Sequence, residues 1–437
     1  MKKKIVLLLC MIFVVGFAFA GGAGQQTSSA GASTGGPSGT LTFWYSINEA
    51  NQNDPEVMWW RDTVRMFQEK YPNVNLQIGN TPDGQQYLTK ITAEVAAGNA
   101  PDVFQTWLTG RLEPFVKANR VMPLNSFLDA RPDLKKTISP VALGFSTFGT
   151  NYYALPMQKS GEVVFYNKKI FAANNLSVPK TYDEFMAISN TLKSQGITPA
   201  VVGNLDVWPG AVPYMMLFNR MNGNALYEAV CLNKQAKFDD PAFSDTGKKL
   251  QEMMQAGVFN NNVNAIRYDE AQAQFTTGKA AMVFDGLWVL SGFLDKLGND
   301  LGFFNFPMTA GGKGSANDYI VNYDSGFAIS SSSKNIPAAQ AFLEFIFSVE
   351  RQVNLAERGK LVGSINLPID QSKLPPIVSE LSTAIDNASY GFNAWDNPLG
   401  PNIGTEFNLA VQRLFAMEDP VKVFQDLNKL VKMEWNN

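Results

Sequence analysis

Residues 151–196 read NYYALPMQKSGEVVFYNKKIFAANNLSVPKTYDEFMAISNTLKSQG. Tyr152 to Pro156 forms an aromatic strand end. The run VVFY at 163–166 is β-branched and aromatic, too short for a helix and suited to a buried strand. Between them lies a polar, glycine-containing crossing at 158–162. After Asn167 a short helix over 168–173 is stopped by Asn174 and Asn175. Thr181 and Glu184 then have the spacing of a capping box. The Thr hydroxyl can take the third amide and the Glu carboxylate can reach back to the cap amide. Pro179 discourages an earlier start, and Gly196 stands where a helix commonly ends in a left-handed residue. The pattern predicts that the chain leaves one domain here and enters a second across a polar seam.

Outward from that stretch, 437 residues suffice for two ordinary domains. A hydrophobic content of 45% with 17% charged residues is globular. Aromatics reach 12%, with 31 Phe, 13 Tyr and 8 Trp, an excess that a core or a ligand surface could absorb.

The N-terminus has the layout of a secretory signal over 1–20. Lys2, Lys3 and Lys4 precede an apolar run that ends in Ala18-Phe19-Ala20, giving a mature start at Gly21. The run is shorter than the ~20 residues of a spanning helix. Residues 21–40, rich in Gly, Ser and Thr, read as a flexible linker. Cleavage would leave 33 basic and 39 acidic residues, a net charge of −6. That balance gives nucleic acid or an anionic membrane no purchase. Cys10 lies in the signal, so Cys231 stands alone and no internal disulfide is expected. A lipoprotein would carry cysteine where Gly21 stands. A free periplasmic or extracellular protein is therefore expected, and the tether-like linker keeps a membrane-anchored form as the alternative. The chain has no histidine, which removes His-based triads, His general bases and nearly all zinc sites. No cofactor or metal is expected.

From Leu41 the chain alternates strand, helix, strand, helix, strand: 41–46, 55–70, 74–78, 85–97 and 101–104. Such alternation predicts an α/β fold with a mainly parallel sheet flanked by helices. In those sheets ligands sit at the carboxyl ends of strands, where Trp44 and Trp107 lie. Later pieces repeat the pattern: strands near 199–202, 280–284, 319–323 and 326–330, helices over 243–257, 268–277 and 337–350, and a helical end over 405–432 broken at Asp419-Pro420. Gly311-Gly312-Lys313-Gly314 reads as a mobile surface loop. Asp239, Asp240 and Asp245 read as acids at a helix N-terminus.

Several of these pieces, in this order, resemble the extracellular solute-binding proteins of bacterial ABC importers, the sugar-binding family that includes maltose-binding protein. They are WY at 44–45, FQEKYPNVNL at 67–76, AAGNAPDVF at 96–104, YALP at 153–156, VFYNKKIF at 164–171, VPKTYDEF at 178–185, FTTGKAAMVFDGLW at 275–288 and GFAISSSSKNIPAAQAFLEF at 326–345. The resemblance spans nearly the whole mature chain. It implies a two-lobe, type II periplasmic binding protein-like fold whose lobes are both discontinuous and joined by three hinge crossings. The implied first lobe is 41–160 plus 328–368 and the second 161–327 plus 369–437. The crossings fall at 157–162, 321–328 and 363–368.

Sugars offer apolar C–H faces and a ring of hydroxyls, so a site needs flat aromatics to stack on and carboxylates or amides to pair with. The resemblance places Trp288 as a stacking ring, with Trp107 and Trp208 at other ligand positions. Trp44 is added from the exit of the first strand. Asp285 could accept from hydroxyls or cap the next helix. Glu162, in the first crossing, Tyr323 and Asp324, in the second, and Trp395 and Asp396, in the loop GFNAWDNP, complete the candidates. For each tryptophan a core role is the alternative. Trp59, Trp60 and Trp435 read as packing residues.

Two function classes compete. One is a monomeric receptor that captures a sugar or oligosaccharide by hinge closure and delivers it to a membrane permease. The other is a secreted glycoside hydrolase working with two carboxylates, although no acid pair is specified by the sequence. A non-sugar ligand, or signalling through a chemoreceptor, keeps the fold and changes the role.

Overall fold

Strand Gly39–Tyr45 follows a two-residue period. Leu41, Phe43 and Tyr45 are buried against one face, and Trp44 turns to the other. This comes from a computed structural model that describes residues 36–50, 52–157, 159–323, 325–358 and 370–435. The expected signal and most of the linker lie outside the described residues, as do Asp324 and the third crossing expected at 363–368.

Among the described residues the strands form two principal sheets. The first has the order Val74–Asn80, Gly39–Tyr45, Val103–Trp107, Ser325–Ile329, Leu155–Pro156. The second runs Tyr390–Phe392, Asp318–Asn322, Ser160–Asn167, Ala280–Gly286, Thr198–Val201, and Leu301–Phe304 also pairs with Ser160–Asn167. Each sheet with its helices makes one lobe. The chain passes from the first sheet to the second between Pro156 and Ser160, and back between Asn322 and Ser325.

The expectation of mainly parallel sheets is corrected: both are mixed. Every antiparallel pair in them involves Ser160–Asn167 or Ser325–Ile329. These are the two strands that directly follow a crossing. Each arrives from the opposite lobe and runs against its neighbours, whereas Gly39–Tyr45 with Val74–Asn80 and Val103–Trp107, and Thr198–Val201 with Ala280–Gly286, are joined by helices within a lobe and run parallel.

The central strand of the second sheet is also longer than VVFY. It begins at Ser160 and takes in Gly161 and Glu162, which the sequence assigned to the crossing. Polar residues of low strand propensity concealed this. Their burial explains it: a Cβ on Gly161 would lie 2.9 Å from the Ile320 carbonyl oxygen of the neighbouring strand.

Helix starts follow the expected chemistry. Asp54 and Asp83 accept amides at the heads of Pro55–Lys70 and Gly84–Ala97. Thr181 caps Tyr182–Ser194, but the Glu184 carboxylate takes the Lys180 amide at 2.6 Å, one residue earlier than a capping box requires. The glycine run 311–314 is not a free loop. A Cβ on Gly312 or Gly314 would come within 2.1 Å of the Arg220 or Asn219 carbonyl, so this segment docks its backbone on the end of helix Ala211–Asn222.

One face of the first sheet packs Phe43, Trp59, Trp60, Phe67 and Phe342. The other packs Tyr87, Ile91, Val95 and Phe104, with Trp44 and Trp107 partly covered at its rim. The core of the second lobe centres on Phe218, Phe243, Phe284 and Trp395.

Candidate functional site

In the second lobe, strand Ala280–Gly286 carries Asp285 near its end, and a single 3₁₀ turn, Leu287–Val289, folds Trp288 back over the strand. The indole lies flat on Gly286: a Cβ there would come within 2.1 Å of the ring. Trp288 Nε1 donates to the Tyr268 hydroxyl at 2.6 Å, and that hydroxyl donates to Asp285 Oδ1 at 2.6 Å. Trp208, from the loop after Thr198–Val201, packs on Tyr268 at 4.7 Å between centroids and meets Trp288 at 5.8 Å with 64° between planes. Two partly exposed indoles thus form a corner around one tyrosine. Tyr268 opens helix Tyr268–Thr276, its amide held by Asp206 Oδ2 at 2.7 Å.

Asp285 is fully buried. It also accepts the Gly286 amide at 2.8 Å and Gln272 Nε2 at 3.2 Å. Burial pushes its carboxyl up to about 7, and these three hydrogen bonds oppose the rise. The Tyr268 hydroxyl is pushed up by burial and then by the Asp285 charge. Asp285 therefore contacts its own scaffold and not the cleft.

The first lobe presents Trp44 and Trp107 at the ends of paired strands. Trp44 lies over Gly79, with Lys90 Nζ 4.1 Å from its ring centroid. Tyr87 sits behind both. Its hydroxyl is shared between the carbonyls of Trp44 and Gln105, at 3.0 and 2.8 Å, and its ring is 6.2 Å from Trp107.

Ion pairs join the lobes, two of them close in sequence to these aromatic residues. Asp83, which caps the helix carrying Tyr87, receives Arg267 Nη2 at 2.7 Å, and Arg267 immediately precedes Tyr268. Arg111 donates to Asp396 Oδ2 at 2.9 Å and to Asn397 Oδ1 at 3.2 Å. Beside this pair Gly110 touches the turn 397–400 so closely that a Cβ would lie 2.6 Å from the Pro398 carbonyl oxygen. A small cavity at this seam is lined by Trp107 and Arg111 from one lobe and Pro401 from the other.

The remaining candidates are placed differently. Trp395 is a core residue, 1% exposed, stacked on Phe407 at 5.3 Å and edge-on to Phe218. The short helix Asp396–Leu399 turns it inward, which corrects its expected place in the cleft. The Asp396 carboxylate, expected to face ligand, is held by Arg111 and by Asn408 at 3.2 Å. Glu162 is buried on the central strand, paired with Ile320 and Gly286. Tyr323 is buried at the second crossing, edge-on to Phe145 at 5.1 Å, and burial raises its hydroxyl above the ordinary value. The structure thus brings Trp208, Asp285 and Trp288 together, places Trp44 and Trp107 in one cluster around Tyr87, and separates Trp395 from both. Tyr268, Tyr87, Arg111, Arg267 and Asp83 escaped the sequence reading, because nothing local marks a tyrosine or arginine that works across a fold.

The model of the family described as bacterial extracellular solute-binding protein matches residues 36–353. The chain belongs to that family. This solute-binding protein is 27% identical over 297 residues to an uncharacterized ABC transporter extracellular-binding protein of Pyrococcus horikoshii, covering 66% of this chain and 64% of that relative, just under two thirds of its length. Two solved structures are similar over nearly their whole length. One, from work on xylan utilization by Caldanaerobius polysaccharolyticus, superposes with a TM-score of 0.81 at 30% identity, covering 89% of this chain and 99% of that one. A chitin oligosaccharide binding protein gives 0.83 at 27% identity, covering 91% and 98%. Both are α/β two-lobe structures of the type II periplasmic class, the class expected from the sequence. Among the described residues no helix is long and apolar enough to cross a membrane.

Proposed function

We propose that this solute-binding protein captures an oligosaccharide between its lobes and hands it to the membrane permease of an ABC importer. The observation that carries the reading is two aromatic groups, Trp44 and Trp107 around Tyr87 on one lobe and Trp208 with Trp288 on the other, on elements that ion pairs draw together across the seam. Flat rings on both sides of a closing cleft suit the alternating C–H faces of linked pyranoses. Closure follows because ligand contacts both lobes only when they meet. Relatives described as a multiple sugar-binding protein and a chitin oligosaccharide binding protein support the ligand class.

The lobes are assigned as 39–156 plus 325–357 and 160–322 plus 370–435, by sheet membership. The protein acts as a monomer, exported by its N-terminal signal. It binds without turnover: Asp285 and Glu162 are buried and Asp396 is paired across the lobes, so none of these carboxylates is offered to a glycosidic oxygen. A thermal-shift screen tests the ligand class. Xylo- and chito-oligosaccharides are expected to raise the melting temperature by mass action, and amino acids and polyamines to leave it unchanged. Release of shorter sugars during incubation would overturn the binding-only reading.

A further inference from the structure

The polar atoms beneath Trp288 form a closed chain. Trp288 Nε1 donates to the Tyr268 hydroxyl, which donates to Asp285, which is fixed by Gln272 and the Gly286 amide. The Tyr268 ring supports Trp208 as well. One tyrosine therefore bears on both indoles of the corner, touching one through its hydroxyl and the other through its ring. The geometry points to Tyr268 as the positioning residue that sets the planes of Trp208 and Trp288, with Asp285 acting through it and not as an acceptor for ligand.

The chemistry follows from the direction of the donors. An indole over a glycine has no side chain beneath it to fix its tilt, so Gly286 supplies room and no orientation. The Nε1–H bond supplies the orientation, because an indole has a single donor and a short bond to it leaves little freedom about the side-chain torsions. A tyrosine hydroxyl can accept from Trp288 only while its own proton points elsewhere. The buried Asp285 carboxylate takes that proton. It is itself held on Oδ1 by the Gly286 amide and on Oδ2 by Gln272. Chains of this kind strengthen one another where water is excluded. With its Nε1–H directed into the scaffold, Trp288 offers the ligand an apolar ring face. The corner then reads the C–H face of a sugar ring, and discrimination among hydroxyl configurations falls to other groups of the cleft.

This inference rests on the proposed sugar-binding role, and the test separates the two. Xylo- and chito-oligosaccharides are titrated into wild type, Tyr268→Phe, Asp285→Asn and Asp285→Val, and the near-ultraviolet circular dichroism of each unliganded protein is recorded. Tyr268→Phe is expected to weaken binding about tenfold, the loss of one well-placed hydrogen bond, and to change the tryptophan bands before any ligand is added. Asp285→Asn keeps an acceptor for Tyr268 and is expected to retain wild-type bands and affinity within about threefold. Asp285→Val is expected to behave like Tyr268→Phe, and if it does not fold the Tyr268→Phe spectrum decides alone. Unchanged bands and affinity in Tyr268→Phe overturn the inference. So does a large loss of affinity in Asp285→Asn with Tyr268→Phe unaffected, the pattern of a direct ligand acceptor. If wild type binds neither oligosaccharide, the functional reading fails, while the unliganded spectra still judge the positioning role.

Discussion

Arg111 of the first lobe and Asp396 of the second meet at 2.9 Å, with their side chains 9% and 18% exposed. The two residues are far apart in sequence and sit on opposite sides of the cleft. Asn397 and Asn408 complete the grip, the first on the guanidinium and the second on the carboxylate. A charge-assisted bond this well covered stabilises the arrangement in which it forms, and that arrangement has the lobes together.

Breaking it should open the molecule. Arg111→Ala is expected to remove about 2 kcal/mol from the closed arrangement, to raise the radius of gyration in small-angle scattering and to weaken oligosaccharide binding. Gly110→Ala should act in the same direction by steric means, since its Cβ would overlap the Pro398 carbonyl. An unchanged radius of gyration in both variants would mean that the pair forms without bearing on closure.

Trp288 and Trp395 should separate cleanly on truncation. Trp395→Ala leaves a cavity among Phe218, Phe243 and Phe407 and should destabilise the protein by about 3–5 kcal/mol. Trp288→Ala removes a partly exposed ring and should lower the unliganded melting temperature little. Thermal denaturation of both variants checks this, and equal losses would place Trp288 in the core.

Gly286→Ala tests the seat of the ring. The added methyl group cannot share space with Trp288, so the indole must lift. Tryptophan fluorescence is expected to shift and sugar affinity to fall, while the far-ultraviolet spectrum stays that of wild type. An unaltered fluorescence spectrum would contradict the flat placement of the ring.

The Asp285 carboxyl gives stability a pH dependence of definite sign. It titrates near 7 in the folded chain and near its ordinary 3.8 when unfolded. Between those values the folded chain holds a proton that the unfolded chain has released. Its contribution is therefore complete below the lower value and lost as pH rises through the upper one, by about 1.4 kcal/mol per pH unit. Melting temperatures measured from about pH 5 to about pH 8 should fall more steeply for wild type than for Asp285→Asn. Parallel curves would remove Asp285 as the source.

Much of this fold was legible in the sequence because its signals are local. The strand 41–46, the helices over 55–70 and 85–97, the cap Thr181 and the stop at Gly196 each rest on signals that act within a few residues. What was hidden depends on partners distant in the chain. Ser160, Gly161 and Glu162 look like a linker until Asn322, Val321 and Ile320 pair with them in turn, and Gly286 with Glu162 on the other side. Trp395 looks like a ligand-facing ring in a polar loop until Phe407 stacks on it. Strand direction was hidden for the same reason, since it depends on which lobe a strand enters from. At the site the tryptophans stood out as large residues at strand ends. Tyr268, whose hydroxyl joins two of the candidates, opens its helix with no mark of that role.

The most direct measurement is isothermal titration of the protein with xylo- and chito-oligosaccharides, in parallel with small-angle scattering of the free and saturated protein. The account predicts saturable binding of one oligosaccharide per chain, no release of shorter sugars, and a compact liganded form at least as small as the free one. Absence of heat with every carbohydrate, or binding that leaves Trp288→Ala and wild type equal in affinity, would contradict it.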